Sequence, residues 1–175
     1  MIRIAEQNDL PSIVAIYNEA IAARCTGDTL PVTVQEHLPW FAEHTPQQCP
    51  IVVDIEKGEL RGWCSLSPYR KGRVALRYTK EVSFFVAARF QRQGVGLALV
   101  QHAKGLARSI GIKTLFAIVL EHNFASQQLL ERAGFARWGF LPDVADFDGT
   151  EVGQHYYGLR VAPPNKASST SVGRG

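Results

Sequence analysis

The chain has no apolar run approaching the ~20 residues that cross a bilayer, and Met1 to Glu6 lack the apolar stretch and small-residue cleavage site of an export signal. The expectation is a cytoplasmic protein with no membrane partner. Charge of one sign is missing too: 19 Lys and Arg stand against 16 Asp and Glu, a net +3 with the signs interspersed. That disfavours a nucleic-acid partner bound by phosphate neutralisation, although small anions remain open. Cysteine is scarce and odd in number; Cys25, Cys49 and Cys64 suit neither a disulfide framework nor a C-x-x-C site and read as reduced packing thiols. Metal spacing is also lacking. His37, His44, His102, His122 and His155 form no H-E-x-x-H pattern, and the acids Asp143, Asp146 and Asp148 miss the first ligand of a calcium loop, where Val144 stands. No metal is expected.

What is there is the composition of an ordinary globular chain, 46% apolar in 175 residues, and one domain over residues 1–162 is expected. The run from Pro163 to Ser171 lacks side chains that pack, so 163–175 is expected to be a mobile tail. Residues 2–6 alternate as a short strand, and Leu10, Ile13, Val14, Tyr17 and Ile21 then share one helical face. Thr33 and Glu36 have the spacing of a capping box, so a second helix begins near Thr33, made irregular by Pro39. Ile51 to Ile55 and Leu60 to Leu66 read as strands joined by a hairpin at Glu56-Lys57-Gly58-Glu59, and the meander continues through Tyr78 to Ala87. The pattern then changes to helix, strand, helix. Val95, Leu99, Ala103, Leu106 and Ile110 mark an amphipathic helix ended by Gly111, Thr114 to Leu120 is a strand covered on both faces, and a helix from Phe124 to Ala133 ends at Gly134. Two strands, 135–140 and 152–161, complete an α/β (α+β) chain. Trp40, Trp63 and Trp138 read as core or interface residues.

The most informative segment is Gln91-Arg92-Gln93-Gly94-Val95-Gly96, between a strand and that amphipathic helix. Free amides at a helix start converge on one spot, the helix dipole favours an anion there, and glycines let a phosphate approach the main chain. Pyrophosphate is the natural guest. A Walker loop is excluded because Gly96 is followed by Leu97 and Ala98 instead of Lys and Ser or Thr, and a dinucleotide fingerprint is disfavoured by Leu99.

With Gln91, Gly94 and Gly96 in the form Q/R-x-x-G-x-G/A, the segment resembles the coenzyme A loop of the GCN5-related N-acetyltransferase (GNAT) superfamily. Asn123 and Ser126, followed by Glu131, Gly134 and Phe135, match the N-x-x-S … E-x-x-G-F segment of its phosphinothricin and methionine sulfoximine acetyltransferase branch. The likeness extends through Ile16-Tyr17-Asn18, Pro31-Val32-Thr33 and Glu81 to Val86, covering roughly residues 1–160. It implies a mixed central sheet of six to seven strands, about four flanking helices and a splayed central strand pair. It also implies acetyl-CoA as co-substrate and a homodimer.

Carried over residue by residue, the resemblance puts the pantetheine arm against Val86, Ala87 and Ala88, with Asn123 and Ser126 beside it. The pyrophosphate falls to Gln91, Arg92, Gln93, Gly94, Val95, Gly96 and Leu97. Amines with pKa of about 8 to 10 are mostly protonated at neutral pH, so a base is needed, and Glu81 is that base; the competing reading is a carboxylate paired with Lys80 or Arg77. Arg73, with Arg77 as the competing choice, is suited to a substrate carboxylate, and Tyr78, Phe84 and Phe85 are expected to form an aromatic wall. One departure stands out: the superfamily's Tyr and the branch's His before the helical glutamate are replaced by Leu130, which cannot protonate a leaving thiolate. Tyr156 and Tyr157 are the possible substitutes. The implied activity is acetyl transfer to a small amino-acid-like amine in a ternary complex. The alternatives are a non-catalytic acyl-CoA-binding module and an acetyltransferase of protein N-termini or lysines.

Overall fold

The computed structural model describes residues 1–161, so the expected tail lies outside them. Its elements are β1 (Ile2–Ile4), α1 (Leu10–Ala22), α2 (Val34–Glu43), β2 (Ile51–Glu56), β3 (Glu59–Pro68), β4 (Thr79–Val86), α3 (Val95–Ser109), β5 (Thr114–Leu120), α4 (Phe124–Arg132), β6 (Ala136–Phe147) and β7 (Thr150–Arg160). The seven strands form one sheet in the order β1-β2-β3-β4-β5-β7-β6. Every described pairing is antiparallel except β4 with β5. That parallel pair needs a crossover, which α3 supplies.

Local chemistry explains most boundaries. Thr33 Oγ1 accepts from the Glu36 amide at 3.2 Å while Glu36 Oε2 accepts from the Thr33 amide at 2.8 Å, the reciprocal cap expected at the start of α2. Lys57 and Gly58 both take positive φ, 52° and 80°, as the two-residue hairpin between β2 and β3 requires. Asp146 Oδ1 accepts from the Gly149 amide at 2.6 Å. The acids that hint at a calcium loop therefore close the β6–β7 hairpin, and β6 runs seven residues beyond Phe140 because that turn comes so late.

Strand alternation divides the apolar residues between the faces. On one side Cys64, Leu66, Val82, Leu115, Ala117 and Tyr157 pack with Leu99, Val100 and Ala103 of α3 and Leu130 of α4. On the other, Ile51, Val53, Trp63 and Ala87 pack with Ile13 and Ile16 of α1. The α2 helix buries no residue completely, so it covers this second face only loosely.

Candidate active site

The parallel pairing of β4 and β5 stops after three residues, Thr79 to Glu81 against Thr114 to Phe116. Beyond that point β4 stays with β3 as far as Val86–Gly62, whereas β5 stays with β7 as far as Leu120–Gln154. The two strands therefore splay. The bond from the Ala87 amide to the Arg61 carbonyl, 2.9 Å, sets the phase of the β3–β4 ladder. Alternate residues of an antiparallel strand turn their main-chain groups to opposite sides, so those of Phe84 and Val86 face the wedge. Gln91 Nε2 meets the Val86 carbonyl there at 3.4 Å. The Ala87 amide is used by β3 and the Ala88 amide donates to Glu19 Oε2 at 2.7 Å. Of the three residues expected along the pantetheine arm, only Val86 offers its amide to the opening.

The turn before α3 leaves a run of main-chain amides without acceptors. Arg92 and Gly94 have positive φ, 59° and 82°; left-handed residues set among right-handed ones are the backbone pattern that can turn successive amides toward one spot. Among the described residues no protein acceptor meets the amides of Arg92, Gln93, Gly94, Val95, Gly96 or Leu97; the first helical bond is Ala98 to Gly94, 3.0 Å. Gln91 to Gly94 are exposed. A Cβ on Gly96 would come within 2.7 Å of Leu129 Cδ1 and 3.4 Å of Val86 Cγ2. The second glycine thus lets α3 approach α4 and β4, while the first supplies the backbone angle.

Glu81 lies where the wedge opens, as the last β4 residue paired with β5. It is half-buried and has no hydrogen-bond or ion-pair partner among the described residues, and burial alone pushes its carboxyl above the usual range. The two cations that would have paired it are engaged elsewhere: Lys80 Nζ donates to Cys49 Sγ at 3.2 Å, and Arg77 donates to the Val74 carbonyl at 2.9 Å.

The remaining expected residues are not all brought together. Phe84 packs on the α3 side and Phe85 on the α1 side, as adjacent strand residues must, so they do not share one wall. Tyr78 is exposed just before β4, with the Arg77 guanidinium 4.4 Å from its ring centroid and Lys113 Nζ 4.8 Å away. Arg73 is exposed before a short 3-10 turn. An open depression of about 320 Å³ beside Arg77, Tyr78 and Lys80 lies at that end of β4, away from the splay. The aromatic surface on the Glu81 face of the sheet comes instead from several elements. Tyr17 sits 5.0 Å from Phe85, Trp63 4.7 Å from Phe85 and Trp40 5.6 Å from Trp63, centroid to centroid. Phe116, the register partner of Glu81, stacks on Tyr69 at 4.7 Å and Tyr156 at 5.1 Å. Arg70, which the sequence reading passed over, reaches the Tyr69 ring at 5.6 Å.

On α4, Asn123 Oδ1 caps the helix by accepting from the Ser126 amide at 3.2 Å. Leu130 is 0% exposed in the core. Tyr157 donates its hydroxyl to Glu131 Oε1 at 3.2 Å, and burial and that carboxylate push its pKa up, which suits it poorly to giving up a proton. Tyr156 lies on the Glu81 face beside Phe116.

The chain is similar to proteins already known. The family described as acetyltransferase (GNAT) matches residues 10–135. YwnH of Bacillus subtilis, which bears a phosphinothricin acetyltransferase name, is 40% identical over 149 residues, covering 85% of this chain and 91% of its own. The L-methionine sulfoximine/L-methionine sulfone acetyltransferase of Pseudomonas aeruginosa is 31% identical across 95% of this chain and 97% of its own. The structure of yncA from Salmonella typhimurium, solved with its cofactor acetyl-CoA, superposes with a TM-score of 0.88 at 26% identity, covering 94% of this chain and 95% of that one.

Proposed function

The chain belongs to the acetyltransferase (GNAT) family, and we propose that it moves an acetyl group from acetyl-CoA to the amine of a small amino-acid-like acceptor of the phosphinothricin or methionine sulfoximine type. The observation that carries this reading is the run of six unbonded amides at Arg92 to Leu97 beside a wedge that an unpaired carboxylate flanks.

Acetyl-CoA supplies an activated thioester; the residues described here hold it and manage the acceptor's proton. The amides of Arg92 to Leu97, with Gln91 beside them, are assigned the pyrophosphate. Val86 is assigned the pantetheine arm, bound along β4 as an added strand would be, with Asn123 and Ser126 across the wedge. The Val86 N–H is also the donor for the carbonyl oxygen that gains charge during attack. Glu81 accepts the ammonium proton, directly or through one water, leaving a neutral nitrogen. Its raised pKa makes it a stronger base than an exposed glutamate. Arg70, Arg73 and Arg77 are the cations available to an acceptor carboxylate, and Phe85, Tyr17 and Trp40 are assigned its side chain. Because Leu130 has no proton to give, the thiolate departs unaided or by way of water, its own pKa being near 8.5.

We place the chain in the cytoplasm, where its free thiols Cys25, Cys49 and Cys64 are stable. A homodimer is supported by β6, the sheet edge, where Trp138 and Val144 are 52% and 51% exposed beside Phe140 and Leu141. The test is release of coenzyme A thiol from acetyl-CoA across a panel of amino acids and amines, with light scattering for mass. Turnover confined to small amines bearing a carboxylate is expected. Release with none of them, together with no calorimetric heat from acetyl-CoA, overturns the reading.

A further inference from the structure

A hydrogen-bonded pair that the proposed reaction does not use lies directly behind Glu81. His44, just past α2, places Nδ1 2.6 Å from the Trp40 carbonyl oxygen and Nε2 2.9 Å from Ser67 Oγ. A carbonyl oxygen only accepts, so Nδ1 carries the hydrogen of the neutral ring, and Nε2 offers its lone pair to the Ser67 hydroxyl, which donates to it. Ser67 is the cross-strand partner of Glu81. The phase set by the Ala87–Arg61 bond makes this a hydrogen-bonded pair, in which facing Cα atoms stand about 5.5 Å apart and both side chains rise from one face. Ser67 and Glu81 thus share one face as cross-strand neighbours without a bond between them, and Glu81 has no partner among the described residues.

Resting on Glu81 as the base, we propose that Ser67 and His44 are positioning residues that carry its proton out of the site. The acceptor's N–H bond breaks as an O–H bond forms on Glu81. Glu81 then passes that proton to Ser67 Oγ as Ser67 gives its own to His44 Nε2, which restores the carboxylate and the hydroxyl and leaves an imidazolium. Once the Ser67 hydroxyl turns from the half-buried ring, water takes the proton from Nε2, and the neutral tautomer returns. The net change is one proton from the ammonium to solvent.

The surroundings suit the transfer. Burial and Lys80 hold His44 below its ordinary pKa, only partly opposed by the Trp40 carbonyl and by Glu43, whose carboxylate is itself bonded to Lys71 at 2.9 Å. Burial raises Glu81. The two shifts draw the groups toward each other in proton affinity.

Ser67→Ala removes the bridging hydroxyl, and His44→Gln keeps a hydrogen-bonding amide that cannot take a proton. For each, kcat, KM and the pH profile are measured at saturating acetyl-CoA, with thermal melts and acetyl-CoA calorimetry on the same samples. Each change is expected to lower kcat about tenfold, leave acetyl-CoA affinity alone and reduce the acid limb to a single titrating group. The double variant should be no slower than either single one, since the two act in series. Wild-type kcat and pH profile in folded Ser67→Ala and His44→Gln, with Glu81→Gln inactive, overturn the relay alone. Full turnover by Glu81→Gln overturns the base and the relay together.

Discussion

The two faces of the sheet are built to different standards. Toward α3 and α4 the side chains close into a continuous apolar core, and its tyrosine, Tyr157, has its hydroxyl bonded to Glu131. Toward α1 and α2 the covering is looser: α2 buries nothing completely, Glu81 is unpaired, and two histidines and four aromatic rings meet in one cluster. The contrast teaches where each task belongs. A carrier held by main-chain amides needs a stiff rim, whereas a proton-accepting carboxylate and a replaceable acceptor need a half-open face that tolerates unsatisfied groups.

Substitutions on the two faces should therefore separate activity from stability. The largest effect is expected from Glu81→Gln, which should cut kcat by about 10² to 10⁴ with acetyl-CoA affinity retained by calorimetry. Its stability should move the other way. A carboxyl whose pKa rises on folding contributes stability that is complete below its ordinary range and is lost as pH climbs through the raised value. The neutral Gln should melt with the wild type in acid and above it at neutral pH. The same shift puts the acid limb of the wild-type rate higher than an exposed glutamate would. On the opposite face, Leu130→Ala should cost about 2 to 5 kcal/mol in a denaturant titration and change kcat of the folded fraction far less.

Two glycines sharpen the comparison at the wedge itself. A Cβ at Gly62 would lie 2.7 Å from the Phe85 carbonyl oxygen and 3.3 Å from Val86 Cα, both main-chain atoms. Gly62→Ala should cost roughly 1 to 3 kcal/mol and weaken acetyl-CoA binding, because Val86 must move. Gly94→Ala meets open space but a φ of 82°, so a smaller loss of about 1 kcal/mol is expected, read as a lowered melting temperature with a modest rise in the acetyl-CoA Kd.

Legibility followed the range of the interactions. The α2 capping box, the Lys57–Gly58 hairpin, the glycine turn before α3 and all of β5 could be read along the chain because neighbours in sequence decide them. So could the family motifs and the mixed sheet with its helices. The split of Phe84 from Phe85 was within reach of the same reading, since strand residues alternate. Tyr17, Trp40, Trp63 and Phe85 were not legible as a cluster, because α1, α2, β3 and β4 must assemble before their rings meet. Nor could the sequence decide between a paired and an unpaired Glu81, for Lys80 and Arg77 are its near neighbours and only folding sends them elsewhere.

By itself the sequence determined that a glycine-bearing turn would begin a helix, since φ preferences and apolar periodicity act over a few residues. Tertiary structure alone decided that the splay begins after Glu81, that this carboxylate is half-buried without a partner and that His44 bonds to its cross-strand neighbour Ser67. Those outcomes depend on which distant strands claim each main-chain group and which cations are drawn away. Such competition is settled only when the whole sheet has formed.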